Sequence, residues 1–151
     1  MKKKTITLIG GSGFLAKFCI SELLKDGHNV KVVCRNPHQA GNLRMMGTVD
    51  QLDICSGNII NKGSIEPFIK NSNIVINLVG ILFESNGNQT FQNCHALGPR
   101  NIAELAKKYD VERLIHFSSI GADINSESKY QKSKGIGEKH IIENFPKSTI
   151  I

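Results

Sequence analysis

Thr5-Ile6-Thr7-Leu8-Ile9 is a short apolar, β-branched run that stops on Gly10-Gly11-Ser12-Gly13. A helical pattern follows at once from Phe14 to Lys25, in which Phe14, Phe18, Leu23 and Leu24 share a face, and Asp26-Gly27 ends it. A strand that runs through glycines straight into a helix leaves the first N–H groups of that helix unpaired and unshielded at the end of the strand. The turn therefore implies both a strand-to-helix unit and a place that attracts negative charge.

The alternation continues along the chain. Residues 29–34 read as strand two, Pro37 opens a helix to about Met46, and 49–55 reads as strand three. A short helix over 64–70 precedes strand four at 73–79, and a polar loop over 84–89 leads to a long helix from about Thr90 to Tyr109. Residues 113–118 read as strand five, a helix ending near Asn144 follows, and 147–151 begins a sixth strand. Strands separated by helices build a parallel sheet covered on both faces, and right-handed crossovers wind it in both directions. The expected fold is α/β, a Rossmann-type doubly wound parallel sheet. No repeat or linker divides the 151 residues, so a single domain is expected. Thr149-Ile150-Ile151 fall inside a run expected to be a buried strand, and on this basis the domain reads as C-terminally truncated.

Composition removes several alternatives. With 40% apolar and 21% charged residues the chain resembles an ordinary globular domain. The longest apolar stretch, Ile74 to Phe83, contains Asn77 and Gly80 and is far shorter than the roughly 20 residues of a membrane helix. Gly10, Gly11 and Gly13 interrupt the apolar run behind Lys2-Lys3-Lys4 too early for a signal peptide. The net charge is +6, but the positive residues are spread along helical segments, so nucleic acid is not an expected partner and part of the excess suits an anionic cofactor. Cys19, Cys34, Cys55 and Cys94 lie far apart, and the five histidines show no ligand pairing. No metal and no disulfide framework are expected; Cys34 and Cys55 read as buried thiols in a reducing compartment.

The glycine turn carries the chemistry. A pyrophosphate is drawn to a helix N-terminus by unpaired N–H groups and the helix dipole, and side chains would block its approach. Gly10 permits the tight turn, Gly13 lets the backbone reach the phosphates, and Ala16 packs against the strand. The candidate pyrophosphate contacts are Gly10, Ser12, Gly13, Phe14 and Leu15. Arg35 closes strand two, 25 residues past Gly10, where an acid would hold the ribose 2′-hydroxyl of NAD; the run Val33-Cys34-Arg35-Asn36 has no acid. A guanidinium suits a 2′-phosphate by charge and by its fork of donors, so NADP is expected rather than NAD. Tyr130 and Lys134 stand four residues apart on the helix after strand five, so they share a face. A free tyrosine has a pKa of about 10, and a neighbouring ammonium lowers it into a useful range for acid–base work.

The spacing Gly-x-x-Gly-x-x-Ala, with Tyr-x-x-x-Lys after strand five, resembles the extended short-chain dehydrogenase/reductase family over the whole chain. That resemblance implies that Asn58 and Ile59 meet the adenine, that Leu78, Val79 and Gly80 approach the cofactor ribose, and that Lys134 bonds the nicotinamide ribose. The third catalytic member of the family is a Ser or Thr that falls at Ile120 here; Ser119 stands one residue early as the candidate substitute. His95 stands where such proteins carry an asparagine and is taken as a further cofactor-side residue. Gly10 to Phe14, Asn77 to Phe83, Ser118 to Asp123, Tyr130 to Lys134 with Gly137-Glu138, and Ala40 to Leu43 look like one branch, the nucleotide-binding accessory subunits of respiratory complex I and their bacterial relatives. The branch implies a structural NADPH, complex I subunits as partners, and a cytoplasmic location peripheral to the inner membrane. An active NADP-dependent reductase or sugar-nucleotide epimerase, and an NADP-binding redox sensor, are the alternatives. The substrate lobe of this family comes mostly from the C-terminal part, which is expected to be absent from these 151 residues.

Overall fold

Six strands lie parallel in the order β3-β2-β1-β4-β5-β6. They are β1 Thr5–Ile9, β2 Asn29–Cys34, β3 Leu52–Ser56, β4 Ile74–Asn77, β5 Arg113–His116 and β6 Thr149–Ile150. The computed structural model describes residues 2–85 and 87–151. Between the strands run α1 Phe14–Lys25, a 3-10 segment Pro37–Met45, α2 Lys62–Lys70, α3 Gly98–Lys108 and α4 Lys129–Asn144. This is the doubly wound sheet expected from the alternation, with its order reversing between β1 and β4, the point at which such sheets open a crevice.

The period of two along each strand divides the core between the two faces of the sheet. Ile6, Leu8, Val30 and Val32 pack with Ala16, Ile20, Leu24 and Leu43 on the face covered by α1. Ile9, Val33, Val75 and Leu114 pack with Ile65, Ile69, Ile102 and Ile141 beneath α2, α3 and α4. Around α4 the approach is close: a Cβ on Gly137 would lie 2.0 Å from the His95 carbonyl oxygen, in the turn before α3, and one on Gly135 would lie 2.6 Å from the Asp123–Ile124 backbone. These two glycines let the helix that carries Tyr130 and Lys134 settle against its neighbours.

Four local expectations are corrected. Helix α1 buries Ala16, Ile20 and Leu24, while Phe14 and Phe18 are 77% and 60% exposed and meet edge to face on its outer side. The small Ala16 lets the helix approach the sheet, which a phenylalanine on that face would prevent. The segment opened by Pro37 is 3-10 rather than α-helical. Strand three starts at Leu52, and Val49 is exposed in the turn before it. The long helix expected from Thr90 begins instead with a π-helical turn, Gln92–Leu97, before α3.

Candidate functional site

The carboxyl ends of β1, β2, β3 and β4 converge on a cleft of about 190 Å³. Gly10 turns the chain out of β1 with φ +90°, and a Cβ there would press to 3.0 Å on the Leu78–Val79 backbone. That conformation and that contact admit only glycine at reasonable cost. Gly10 N–H donates to the Val33 carbonyl, which ties the turn to β2. Gly13 caps α1 with extended backbone and no side-chain hydrogen bond, and the first turn of the helix contains no acid. The helix end therefore presents unpaired N–H donors beside the cleft, the arrangement that binds phosphate.

Of the residues expected to hold a dinucleotide, Gly10, Ser12, Gly13, Arg35, Asn58, Ile59, Leu78, Val79 and Gly80 line this cleft. Phe14 and Leu15 have exposed side chains and do not line the cleft, and their backbone N–H groups stand in the first turn of α1 beside it. Arg35 is exposed on the rim and takes part in no ion pair among the described residues. Asn58 is set by its own turn: its Oδ1 accepts from Ile60 N–H at 3.2 Å, and its N–H donates to Ser64 Oγ at 2.9 Å. A carboxamide held this way keeps its Nδ2 donors free.

Tyr130, Lys134, Ser119 and His95 lie outside the lining of that cleft and gather around the end of β5. Lys134 is buried, and its Nζ donates to the Phe117 carbonyl at 2.9 Å. Burial pushes its pKa below the ordinary lysine value. The Tyr130 ring packs edge-on against His95 and Phe91, with centroids 5.3 Å and 5.7 Å away. The hydroxyls of Ser118 and Ser119 are buried without a partner among the described residues. His95 is buried, and burial with the nearby Lys134 charge pushes its pKa down to about 4.

Sequence reasoning missed part of the site. Cys34, Gly57, Ile81 and Cys94 line the cleft, together with Asn88 and Gln89 from the polar loop. Gly57 follows β3 as Gly10 follows β1, so its place at a strand's carboxyl end was the available signal. Also missed was a buried pair at the centre of the sheet: Asn77 and His116 face each other on β4 and β5, 2.9 Å apart. Asn77 Oδ1 accepts from Val79 N–H, so its amide donates to His116 Nδ1. Burial, followed by the Lys134 and His95 charges, drives the His116 pKa down to about 3.

A cleft at the reversal point of a parallel sheet, with a glycine-lined helix end and no competing side chain, is the site of a dinucleotide-binding protein. The chain belongs to the NAD(P)H-binding family, whose model matches residues 10–145. It is 36% identical to NADH dehydrogenase (ubiquinone) 1 alpha subcomplex subunit 9, mitochondrial, of Mus musculus, over 96% of this chain and 38% of that protein. It is 33% identical to the NADH-ubiquinone oxidoreductase 40 kDa subunit, mitochondrial, of Neurospora crassa, over 97% of this chain and 39% of that one. The chain thus spans about two fifths of the length of these relatives. The fold matches that of the Bordetella bronchiseptica enzyme WbmG in complex with NAD, with a TM-score of 0.71 and 21% identity over 94% of this chain and 50% of that one. Among the described residues no group of His, Cys, Asp and Glu is placed to hold a metal, and no helix is long and apolar enough to cross a membrane.

Proposed function

We propose that the chain binds NADP(H) in preference to NAD(H), and that the dinucleotide is a structural group in a protein that attaches to respiratory complex I. The observation that carries the cofactor choice is Arg35, which closes β2 on the cleft rim free of any ion pair among the described residues. A 2′-phosphate there gains charge-assisted hydrogen bonds that a 2′-hydroxyl does not make. Replacing Arg35 by Asp weakens NADPH binding by about 10–100-fold and relieves the penalty on NADH. Calorimetry with both reduced cofactors is the test, and equal affinities in the parent chain would sink the preference.

The structural role and the partner rest on the complex I subunits among the relatives. On this reading the protein sits peripherally at the membrane that holds complex I, mitochondrial in these relatives, without a membrane-crossing helix among the described residues. Ile120, at the position of the usual catalytic hydroxyl, is fully exposed, while the Ser119 hydroxyl beside it is buried. The expectation is that the chain does not accelerate NADPH oxidation with any of a panel of carbonyl substrates. An active reductase is the second reading, favoured by Tyr130 and Lys134 on one face of α4 and by the unpartnered Ser119 hydroxyl. A bound dinucleotide would supply a hydride there, and turnover abolished by Tyr130→Phe would establish that reading in place of the first.

A further inference from the structure

The π-helical turn Gln92–Leu97 carries His95 into the interior between the cleft and α4. Such turns place an extra residue in the helix and recur at functional sites. The hydrogen bonds around the imidazole determine its state. Nε2 lies 2.9 Å from the Ile81 N–H and has to accept from it. Nδ1, 3.0 Å from Ser133 Oγ, then carries the proton and donates. The Ser133 hydroxyl uses its own proton on the Tyr130 carbonyl at 2.7 Å, so each donor in the chain has one acceptor. Ile81 lines the dinucleotide cleft, whereas His95 does not. At its other side the His95 ring stacks on Phe91 and meets the edge of Tyr130.

We propose that His95 is a positioning residue that fastens the outer wall of the dinucleotide cleft, at the Ile81 amide, to the helix bearing Tyr130 and Lys134. It acts on the bound dinucleotide through Ile81 and moves no proton itself, because its one lone pair is spent on a backbone amide. The link joins the part of the fold that holds the cofactor to the part that holds the candidate acid–base pair. It rests on the dinucleotide reading of the cleft for its consequence, but not for its geometry.

Two substitutions separate the hydrogen bond from the packing. His95→Phe keeps a flat ring against Phe91 and Tyr130 and removes the acceptor. His95→Gln places a carbonyl oxygen about where Nε2 lies and keeps it. In the protein without cofactor, the nitrogen-15 shifts of His95 are expected to show a protonated Nδ1 and a bare Nε2, and the Ile81 amide to exchange slowly with solvent. His95→Phe speeds that exchange and weakens NADPH binding by about 10-fold, and His95→Gln restores both. A protonated Nε2, or equal losses in the two variants, would overturn the proposal. If His95→Phe does not fold, the shifts and the His95→Gln exchange rate still decide. Failure of the parent chain to bind NADPH would count against the cofactor assignment, and the cofactor-free measurements would still judge the link.

Discussion

Gly13→Val is expected to abolish dinucleotide binding while leaving the far-ultraviolet circular dichroism and the unfolding midpoint close to those of the parent. Gly13 has φ −77° and ψ 169°, a conformation open to a β-branched residue. A Cβ there meets only the Gly10 carbonyl oxygen, at 3.3 Å, so the chain gives by a few tenths of an ångström and the rest of the side chain stands in the space beside the α1 N-terminus. The loss in affinity should exceed about 100-fold, since the phosphates lose their approach to the N–H donors. Gly11→Val is the contrasting control. A Cβ at Gly11 would lie 2.0 Å from Val32 Cγ1, in the core of β2, so this variant loses fold stability by about 1–3 kcal/mol or more. Undiminished NADPH binding by Gly13→Val, measured by calorimetry, would mean that the pyrophosphate lies elsewhere.

Acid should destabilise the fold well before its carboxylates titrate. His95 and His116 are buried as neutral rings, with pKa values pushed from 6.5 to about 4 and about 3. The groups facing them are Lys134 and Tyr130 from α4 and Asn77 from β4; the Lys134 charge adds to burial in lowering both values, and His95 lowers that of His116 a little further. Because both folded pKa values are depressed, the unfolded chain binds protons that the folded chain refuses between pH 6.5 and about 4. Their stabilising contribution is complete above about pH 6.5 and falls away as pH drops through that window. By about pH 5 the loss amounts to roughly 2 kcal/mol for each histidine, a large part of the stability of a domain this size. The paired carboxylates of Glu66, Glu104 and Glu112 are held below the ordinary glutamate value by hydrogen bonds to Lys108, Lys62 and Lys4, so their losses come at lower pH. Urea unfolding at about pH 7 and about pH 5 measures the effect, and His95→Gln should remove about half of it. A stability unchanged between the two would contradict the neutral, Nδ1-protonated His95.

The order of strands and helices, the Gly10–Gly13 turn at a strand's end, Arg35 at the close of β2, and the sharing of a face by Tyr130 and Lys134 were all legible in the sequence. Each depends on local pattern: the period of two or 3.6, a glycine at a turn, a spacing of four. What depends on the third dimension was not legible. Both sides of α1 carry apolar residues, and only the position of the sheet decides that Ala16, Ile20 and Leu24 are buried and that Phe14 and Phe18 face outward. The steric demand at Gly11 is set by Val32, on a different strand. The Asn77–His116 pair joins residues 39 apart, and the partners of His95, Ile81 and Ser133, come from a loop before it and a helix long after. A histidine's protonation state follows from its hydrogen-bond partners and its burial, and a one-dimensional pattern contains neither. The residues alone thus determined a doubly wound sheet with a glycine turn at the end of its first strand, whereas the packing of α4 on the π-helical turn decided which groups His95 bonds, because long-range contacts select the partner of every buried polar atom.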